Sequence, residues 1–155
     1  TAAHAEAGLH AAEPIRVGFS EDDGRDVAGW LLSDGDLPDG LVCVNDEVAV
    51  AALDELQRGG IAVPDDVTVT GWDDVMTARY TRPGLTSVTQ PVRELGSLAA
   101  TTLHRMVTTG EREQAPIILP TRIVLRGSCG CPEARPAATR PRPSPVRETP
   151  KEEPK

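Results

Sequence analysis

The sequence has few aromatic residues and no long hydrophobic run. Its 155 residues include only four aromatic side chains, namely Phe19, Trp30, Trp72 and Tyr80. No apolar stretch is long enough to span a membrane, and no secretory signal peptide is visible at the start. We therefore expect a cytoplasmic protein without a membrane partner.

Cysteine is also scarce, since three residues cannot build a disulfide framework. Cys43 lies in a predicted buried strand and is expected to be a small core residue. The spacing of Cys129-Gly-Cys131 is too short for the usual zinc knuckle, and no second Cys/His pair follows it. The composition therefore predicts neither a structural metal nor another cofactor.

Positive charge is sparse in the first 131 residues, which carry 10 Lys/Arg and 20 Asp/Glu and hence a net charge of −10. So acidic a body is a poor candidate for holding nucleic acid phosphates itself. Residues 132–155 contain seven of the 14 prolines and no Ile, Leu, Phe, Trp or Tyr. Such a segment cannot bury enough apolar surface to offset its ordering entropy. We predict one domain at 1–131 and a disordered Pro-rich tail at 132–155.

Catalytic signatures are missing as well. No glycine-rich phosphate loop is present, and His4, His10 and His104 have no matching acid or Ser/Cys motif. The neighbouring carboxylates of Asp73 and Asp74 are of the kind that performs acid–base work or holds a divalent metal, but nothing supplies a nucleophile with an orienting base. We expect the chain not to be an enzyme, and a small α/β enzyme using these two residues is the least favoured alternative.

What the sequence does contain is an alternation of short apolar runs with amphipathic helical segments. The polar residues Ser20 and Asn45 stand where N-caps are expected, and Gly35 and the Gly59-Gly60 pair stand where helices should stop. This order predicts an α/β fold, a parallel sheet with flanking helices. Strands are expected at 15–19, 41–44, 67–70, 85–88, 117–119 and 122–125, and helices at 22–33, 46–58 and 91–107.

Three of these predicted strands end in residues suited to a ligand. Phe19, Asn45 and the Trp72-Asp73 pair each follow a strand, and the carboxyl ends of parallel strands meet at one edge of a sheet. An amide offers donor and acceptor together, and a carboxylate accepts two hydroxyl donors. Taken singly, the phenylalanine would be core, the asparagine a helix cap and the aspartate part of a turn. Taken together, they favour a cleft for a polyhydroxylated ligand.

Several longer motifs then resemble a known family. They are 38–46 (PDGLVCVND), 60–67 (GIAVPDDV), 70–74 (TGWDD), 83–91 (PGLTSVTQP) and 126–128 (RGS). Over roughly residues 5 to 130 the chain closely resembles the C-terminal half of the effector-binding core of LacI/GalR-type transcriptional regulators. The resemblance implies an incomplete periplasmic-binding-protein-like class I fold, with a sugar-like or nucleoside-type effector held in a cleft between two α/β subdomains.

The resemblance also implies roles for individual residues. Asn45 and Asp73 match the positions that bond the effector in such regulators, and Phe19 lies where an effector-stacking ring is expected. Gln90 follows a strand that passes near the cleft, and Trp72 stands beside Asp73 at the strand end. The candidate effector-binding set is therefore Asn45, Asp73, Phe19, Trp72 and Gln90.

Partners follow from the same resemblance. A homodimer is expected through the C-terminal subdomain, with the face around Val50 and the loop of Tyr80 as candidates. DNA would be bound only through an N-terminal helix-turn-helix domain that this chain lacks. With the N-terminal subdomain also lacking, the helix at 91–107 should expose an apolar stripe and the chain should be marginally stable.

We therefore expect the effector-sensing domain of a LacI/GalR-type regulator, present here as a fragment without its DNA-binding domain. The alternative from another class is the solute-binding protein of a sugar transporter, which shares the fold.

Overall fold

The computed structural model describes residues 2–9, 12–112 and 115–131, so the tail predicted to be disordered at 132–155 lies outside the described residues. The helices within these ranges are α1 (Ala2–Glu6), α2 (Glu21–Asp34), α3 (Asp46–Arg58) and α4 (Val92–Thr109), with short 3-10 helices at Met76–Arg79 and Gly127–Cys129. The strands are β1 (Gly40–Val42), β2 (Thr68–Asp73), β3 (Thr86–Thr89) and β4 (Arg122–Val124).

The four strands form one sheet in the order β1-β2-β3-β4. The pairs β1/β2 and β2/β3 are parallel, with Val42 opposite Thr70 and Asp73 opposite Thr89. The pair β3/β4 is antiparallel. The predicted α/β fold with a mainly parallel sheet is confirmed, and the antiparallel fourth strand completes it.

Local capping explains where α2 and α3 begin. The Ser20 hydroxyl accepts a hydrogen bond from the Asp23 amide while the Asp23 carboxylate accepts one from the Ser20 amide, forming a reciprocal capping box. The side chain of Asn45 caps α3 by accepting from the amide of Val48 at 2.8 Å. Gly35 ends α2 with a φ of 77°, a conformation that glycine adopts without steric cost.

Two expected strands are not formed. The segment 15–19 makes no ladder with β1, and its apolar side chains Ile15 and Val17 remain exposed, so it gains neither sheet hydrogen bonds nor a place in the core. Residues 117–119 are likewise irregular and precede β4. By contrast, β2 is longer than predicted, because Gly71, Trp72 and Asp73 continue its pairing with β3.

The core lies between one face of the sheet and helix α3, and α2 packs on α3. Its fully buried members include Leu56 of α3, Val69 of β2 and Leu85 just before β3. Gly24 lets α2 approach α3 closely, because a Cβ at this position would collide with the carbonyl oxygen of Val48. Helix α3, with α2 packed beside it, therefore covers this face.

The other face of the sheet and the whole of α4 lack such a cover in the described residues. Val42 is 87% exposed and Ile123 is 68% exposed on this second face. Helix α4 has no buried residue, and Leu95 and Leu103 are open to solvent, which confirms the expected exposed stripe. None of the helices described is both long and apolar enough to cross a membrane.

Candidate functional site

The predicted site residues gather at the carboxyl-terminal edge of the parallel strands. Asp73 ends β2 beside Thr89 of β3, and Gln90 follows directly. Asn45 caps α3 three residues after β1 ends. Asn45 and Asp73 thus both follow or end parallel strands at the edge where open α/β sheets bind ligands.

Asn45 is fixed by two hydrogen bonds and still has capacity for a ligand. Its Oδ1 accepts from the Val48 amide at 2.8 Å, and its Nδ2 donates to the Phe19 carbonyl at 2.9 Å. A primary amide carries two donor hydrogens and two acceptor lone pairs, so one of each is left. The side chain that caps α3 is therefore held in place and keeps one donor and one acceptor position open.

Asp73 is held in an unusual backbone conformation. Its φ is 110° and that of Asp74 is 51°, and positive φ is uncommon outside glycine. Such strain is concentrated at functional sites, where the surrounding structure maintains it. The Asp73 Oδ1 accepts a hydrogen bond from Gln90 Nε2 at 2.6 Å, while Oδ2 has no partner among the described residues. The strained turn thus presents one oriented, available carboxylate oxygen.

The two aromatic rings of the predicted set are both at the surface. Phe19 is 67% exposed and Trp72 is 40% exposed. Although 15–19 is not a strand, the hydrogen bond from Asn45 to the Phe19 carbonyl holds the Phe19 backbone beside the start of α3. Both aromatic side chains are therefore accessible to solvent.

An open hollow of about 710 Å³ runs along the first turns of α4. Of the five predicted residues, only Gln90 lines it, together with residues such as Pro91, Glu94 and Leu98. The polar edge itself is a surface rather than an enclosed cavity within the described residues. Ligand pockets normally bury most of their ligand, so this edge has the character of one wall of a site.

A buried carboxylate supports this wall from below. Asp46 is 0% exposed, and it accepts hydrogen bonds from the Ser87 hydroxyl at 2.6 Å and from the Val75 amide at 2.8 Å. Gly71 is required opposite it, because a Cβ there would collide with the Asp46 carboxylate. Asp46 thus ties the start of α3 to β3 and to the loop after β2.

A buried ion pair holds the second aspartate of the motif. The Arg126 guanidinium bonds the Asp74 carboxylate at 2.5 Å and the Leu85 carbonyl at 2.6 Å, and the side chains of Arg126 and Asp74 are only 14% and 7% exposed. The Asp74 amide donates to the Ser87 hydroxyl at 3.0 Å. The strained turn at Asp73 is therefore anchored by partners on β3 and just after β4.

Asp46 should make the stability of the protein depend on pH. The pKa of its carboxyl is raised overall, and burial is the largest cause. The nearby Asp73 and Asp74 carboxylates raise the pKa further, while the hydrogen bonds from Ser87 and Val75 lower it in part. A carboxyl group whose pKa is higher in the folded than in the unfolded state stabilises the folded protein. This contribution is complete below the unfolded-state pKa of about 3.9 and is lost as the pH rises through the folded-state pKa. Urea unfolding should show the stability difference between wild type and Asp46→Asn declining across that window.

The Ser87→Ala variant is the matched comparison for this prediction. It removes the hydroxyl that stabilises the ionised form of Asp46. The pH range over which the contribution of Asp46 to stability is lost should therefore extend to higher pH in Ser87→Ala than in the wild type. A difference between wild type and Asp46→Asn that stays constant or grows with pH would show that Asp46 is not the titrating group.

The sequence predicted the residues of the polar edge but not the buried hydrogen-bonding residues beneath it. Ser87 and Arg126 were not singled out as functional, and Asp46 and Asp74 were treated as neighbours of the site residues. The strand that holds Ser87 is itself polar, with Thr86 and Thr89 in it, so its sequence does not set Ser87 apart. The partner of Asp74 lies 52 residues away along the chain, a separation that no local pattern reveals.

Comparison with known proteins gives a consistent result. The family described as periplasmic binding protein-like domain matches residues 1–129. The HTH-type transcriptional regulator DegA of Bacillus subtilis is 35% identical over 114 residues, covering 74% of this chain and 34% of the relative. The ribose operon repressor of Haemophilus influenzae is 35% identical over 98 residues, covering 63% of this chain and 30% of the relative.

Among solved structures, the complex of the transcriptional regulator CelR with cellobiose aligns with a TM-score of 0.76 at 31% identity. That alignment covers 82% of this chain and 39% of the neighbour. The chain therefore spans about a third of the length of the curated relatives it matches.

Proposed function

Because the chain belongs to the family of periplasmic binding protein-like domains, we infer that it is part of the effector-sensing domain of a LacI-type transcriptional regulator. The proposed effector is a sugar or a related polyhydroxylated small molecule. In this proposal the chain acts by binding and not by catalysis, and its carboxylates accept hydrogen bonds from ligand hydroxyl groups.

The observation that carries the proposal is the pair of unused hydrogen-bonding groups on Asn45 and Asp73. Both side chains are oriented by bonds within the chain, to Phe19 and Val48 in one case and to Gln90 in the other. Preorganised groups lose little entropy on binding, so such bonds favour affinity and specificity. Phe19 and Trp72 add aromatic faces for the apolar face of a sugar ring. Relatives named for ribose and solved with cellobiose support this ligand class.

The chain supplies one wall of the proposed cleft. The polar edge is open in the described residues, and the chain matches less than half of the neighbour's length. We propose that a complementary subdomain supplies the second wall and covers the exposed stripe of α4. DNA binding is assigned to a separate helix-turn-helix domain, since the chain itself is acidic.

A homodimer through this part of the fold is also proposed. Tyr80 and Met76 are strongly exposed beside the short 3-10 helix Met76–Arg79, and Val50 lies partly buried on α3. Large exposed apolar side chains of this kind are enriched at interfaces between protein subunits. Analytical ultracentrifugation of the wild type and of a Tyr80→Lys variant measures whether this surface mediates association.

A thermal-shift panel of pentoses, hexoses, disaccharides and nucleosides, measured on the full-length gene product, tests the ligand class. A ligand that binds only the folded state at 100 times its Kd stabilises it by about 2.7 kcal/mol. We expect a hydroxylated ligand to raise Tm and expect Trp72→Ala to lose most of that shift. Trp30→Ala is the matched control, because this exposed tryptophan lies on α2 within the helix layer.

Two results would count against the assignment. One is a panel in which apolar compounds bind and hydroxylated ones do not. The other is a ligand-induced shift that survives Trp72→Ala as fully as it survives Trp30→Ala. The reading frame upstream of Thr1 separates the two protein classes, because a regulator requires a helix-turn-helix there and a transporter's solute-binding protein requires a secretory signal.

A further inference from the structure

Two cysteine thiols lie side by side after β4, away from the polar edge. Cys129 ends the short 3-10 helix Gly127–Cys129, and Gly130 turns the chain with a φ of 73°. This turn folds Cys131 back, so that its Sγ lies 4.0 Å from the Cys129 carbonyl oxygen. Both residues are partly exposed. The turn therefore creates an accessible pair of adjacent sulfur atoms.

The position of this pair is fixed by the residue before it. Ser128 is fully buried, and its hydroxyl donates to the Val69 carbonyl at 2.5 Å and accepts from the Thr86 amide at 2.8 Å. Its own amide donates to the Gly84 carbonyl at 3.0 Å. The Cys129 Sγ also lies 3.3 Å from the Arg126 carbonyl oxygen. The sheet therefore holds the first cysteine rigidly while the second follows a glycine.

The surroundings make the two thiols unequal. Burial raises the pKa of the Cys129 thiol, but side-chain hydrogen bonds with Cys131 and Thr86 outweigh burial and lower it overall. The pKa of Cys131 is raised, chiefly by its hydrogen bond with Cys129. A thiol of lowered pKa beside a second thiol is the usual arrangement of a nucleophilic and a resolving cysteine. Cys43 differs, because burial raises its pKa to about 11.

A zinc site does not account for the pair. Structural zinc is held by four ligands, and within the described ranges no group of three or more His, Cys, Asp or Glu side chains is placed to hold a metal. Two neighbouring, accessible thiols can instead exchange with a disulfide.

We propose that Cys129 and Cys131 form a redox-active dithiol that exchanges with low-molecular-weight disulfides. The Cys129 thiolate attacks one sulfur of the disulfide, forms a mixed disulfide and releases one thiolate. The Cys131 thiolate then attacks the Cys129 sulfur, forming the Cys129–Cys131 disulfide and releasing the second thiolate. The protein dithiol is oxidised by two electrons, and the small disulfide is reduced to two thiols.

The test uses oxidised glutathione with the reduced, folded chain, followed by intact-mass and peptide-mapping mass spectrometry. The wild type should lose two hydrogens and end without a bound glutathione. Cys131→Ser should accumulate a stable glutathione adduct on Cys129, because no resolving thiol is present. Cys129→Ser should release glutathione at least about tenfold more slowly, because the remaining thiols are less ionised. Cys43→Ser, the matched control, should behave as the wild type does.

Either of two outcomes overturns the proposal. In one, Cys129→Ser reacts as fast as the wild type. In the other, the wild type retains a glutathione adduct or carries its modification on Cys43. Peptide mapping of the wild type alone decides the second outcome, so the test does not depend on how well any variant folds.

Discussion

Replacing Arg126 by alanine should lower the free energy of unfolding by about 3–5 kcal/mol, as expected for breaking a buried ion pair from one side. The guanidinium is nearly enclosed, and it bonds both the Asp74 carboxylate and the Leu85 carbonyl. Its removal leaves a desolvated carboxylate and an unpaired carbonyl. Urea-induced unfolding measures the change, and a lower midpoint at unchanged slope is expected.

Arg79 is the matched control because it contacts the same carboxylate from the surface. Its side chain is 62% exposed and lies 3.5 Å from the other oxygen of Asp74. Exposed pairs are worth about 0.2–1 kcal/mol, so Arg79→Ala should have a small effect. Equal losses in the two variants would show that the buried pair does not organise the turn.

The consequence of this pair for function lies in the backbone beside it. Asp73 and Asp74 both have positive φ, and such a turn persists only where the surrounding contacts determine it. Arg126 and Ser87 supply those contacts to Asp74. We therefore expect Arg126→Ala to weaken effector binding as well as stability, because the Asp73 carboxylate loses its fixed orientation.

Much of the helical structure could be predicted from local sequence. Ser20 and Asn45 are short polar residues that precede acidic first turns, and both cap helices as expected. Gly35 and Gly110 end helices in the left-handed conformation. These signals act within a few residues, so they can be read from the sequence directly.

The strands were predicted less well, because a strand depends on its neighbours. The run 15–19 has the composition of a strand, yet it finds no pairing partner along β1. The turn glycine Gly71 was expected to end β2, but pairing with β3 carries the strand on to Asp73. Tertiary contacts decided both cases.

The candidate site was predictable in outline only. The resemblance and the strand-end rule pointed to Asn45 and Asp73, since each follows an apolar run. The polar network beneath them was not predictable, because Asp46 meets Ser87 and Asp74 meets Arg126 across 41 and 52 residues of sequence. A buried polar network of this kind requires every partner in place, which only the folded chain reveals.

The central claim is that Asn45 and Asp73 hold the hydroxyl groups of an effector. Isothermal titration calorimetry on the full-length gene product tests this claim, with the hydroxylated ligand identified by the thermal-shift panel. Asp73→Asn keeps the shape of the side chain and tolerates positive φ, while it replaces a carboxylate oxygen by a donor. Asn45→Ser keeps an oxygen that can cap α3, while it removes the amide.

Each substitution should cost about 1–3 kcal/mol of binding free energy, which corresponds to a Kd raised roughly 5- to 150-fold. Asp65→Asn, an exposed aspartate in the loop before β2 and distant from the strand ends, should leave the Kd unchanged. Thermal unfolding of each variant confirms that it is folded at the temperature of the titration. Weakened binding in both site variants and unchanged binding in the control is the predicted result, and wild-type affinity in Asp73→Asn and Asn45→Ser alike would contradict the account.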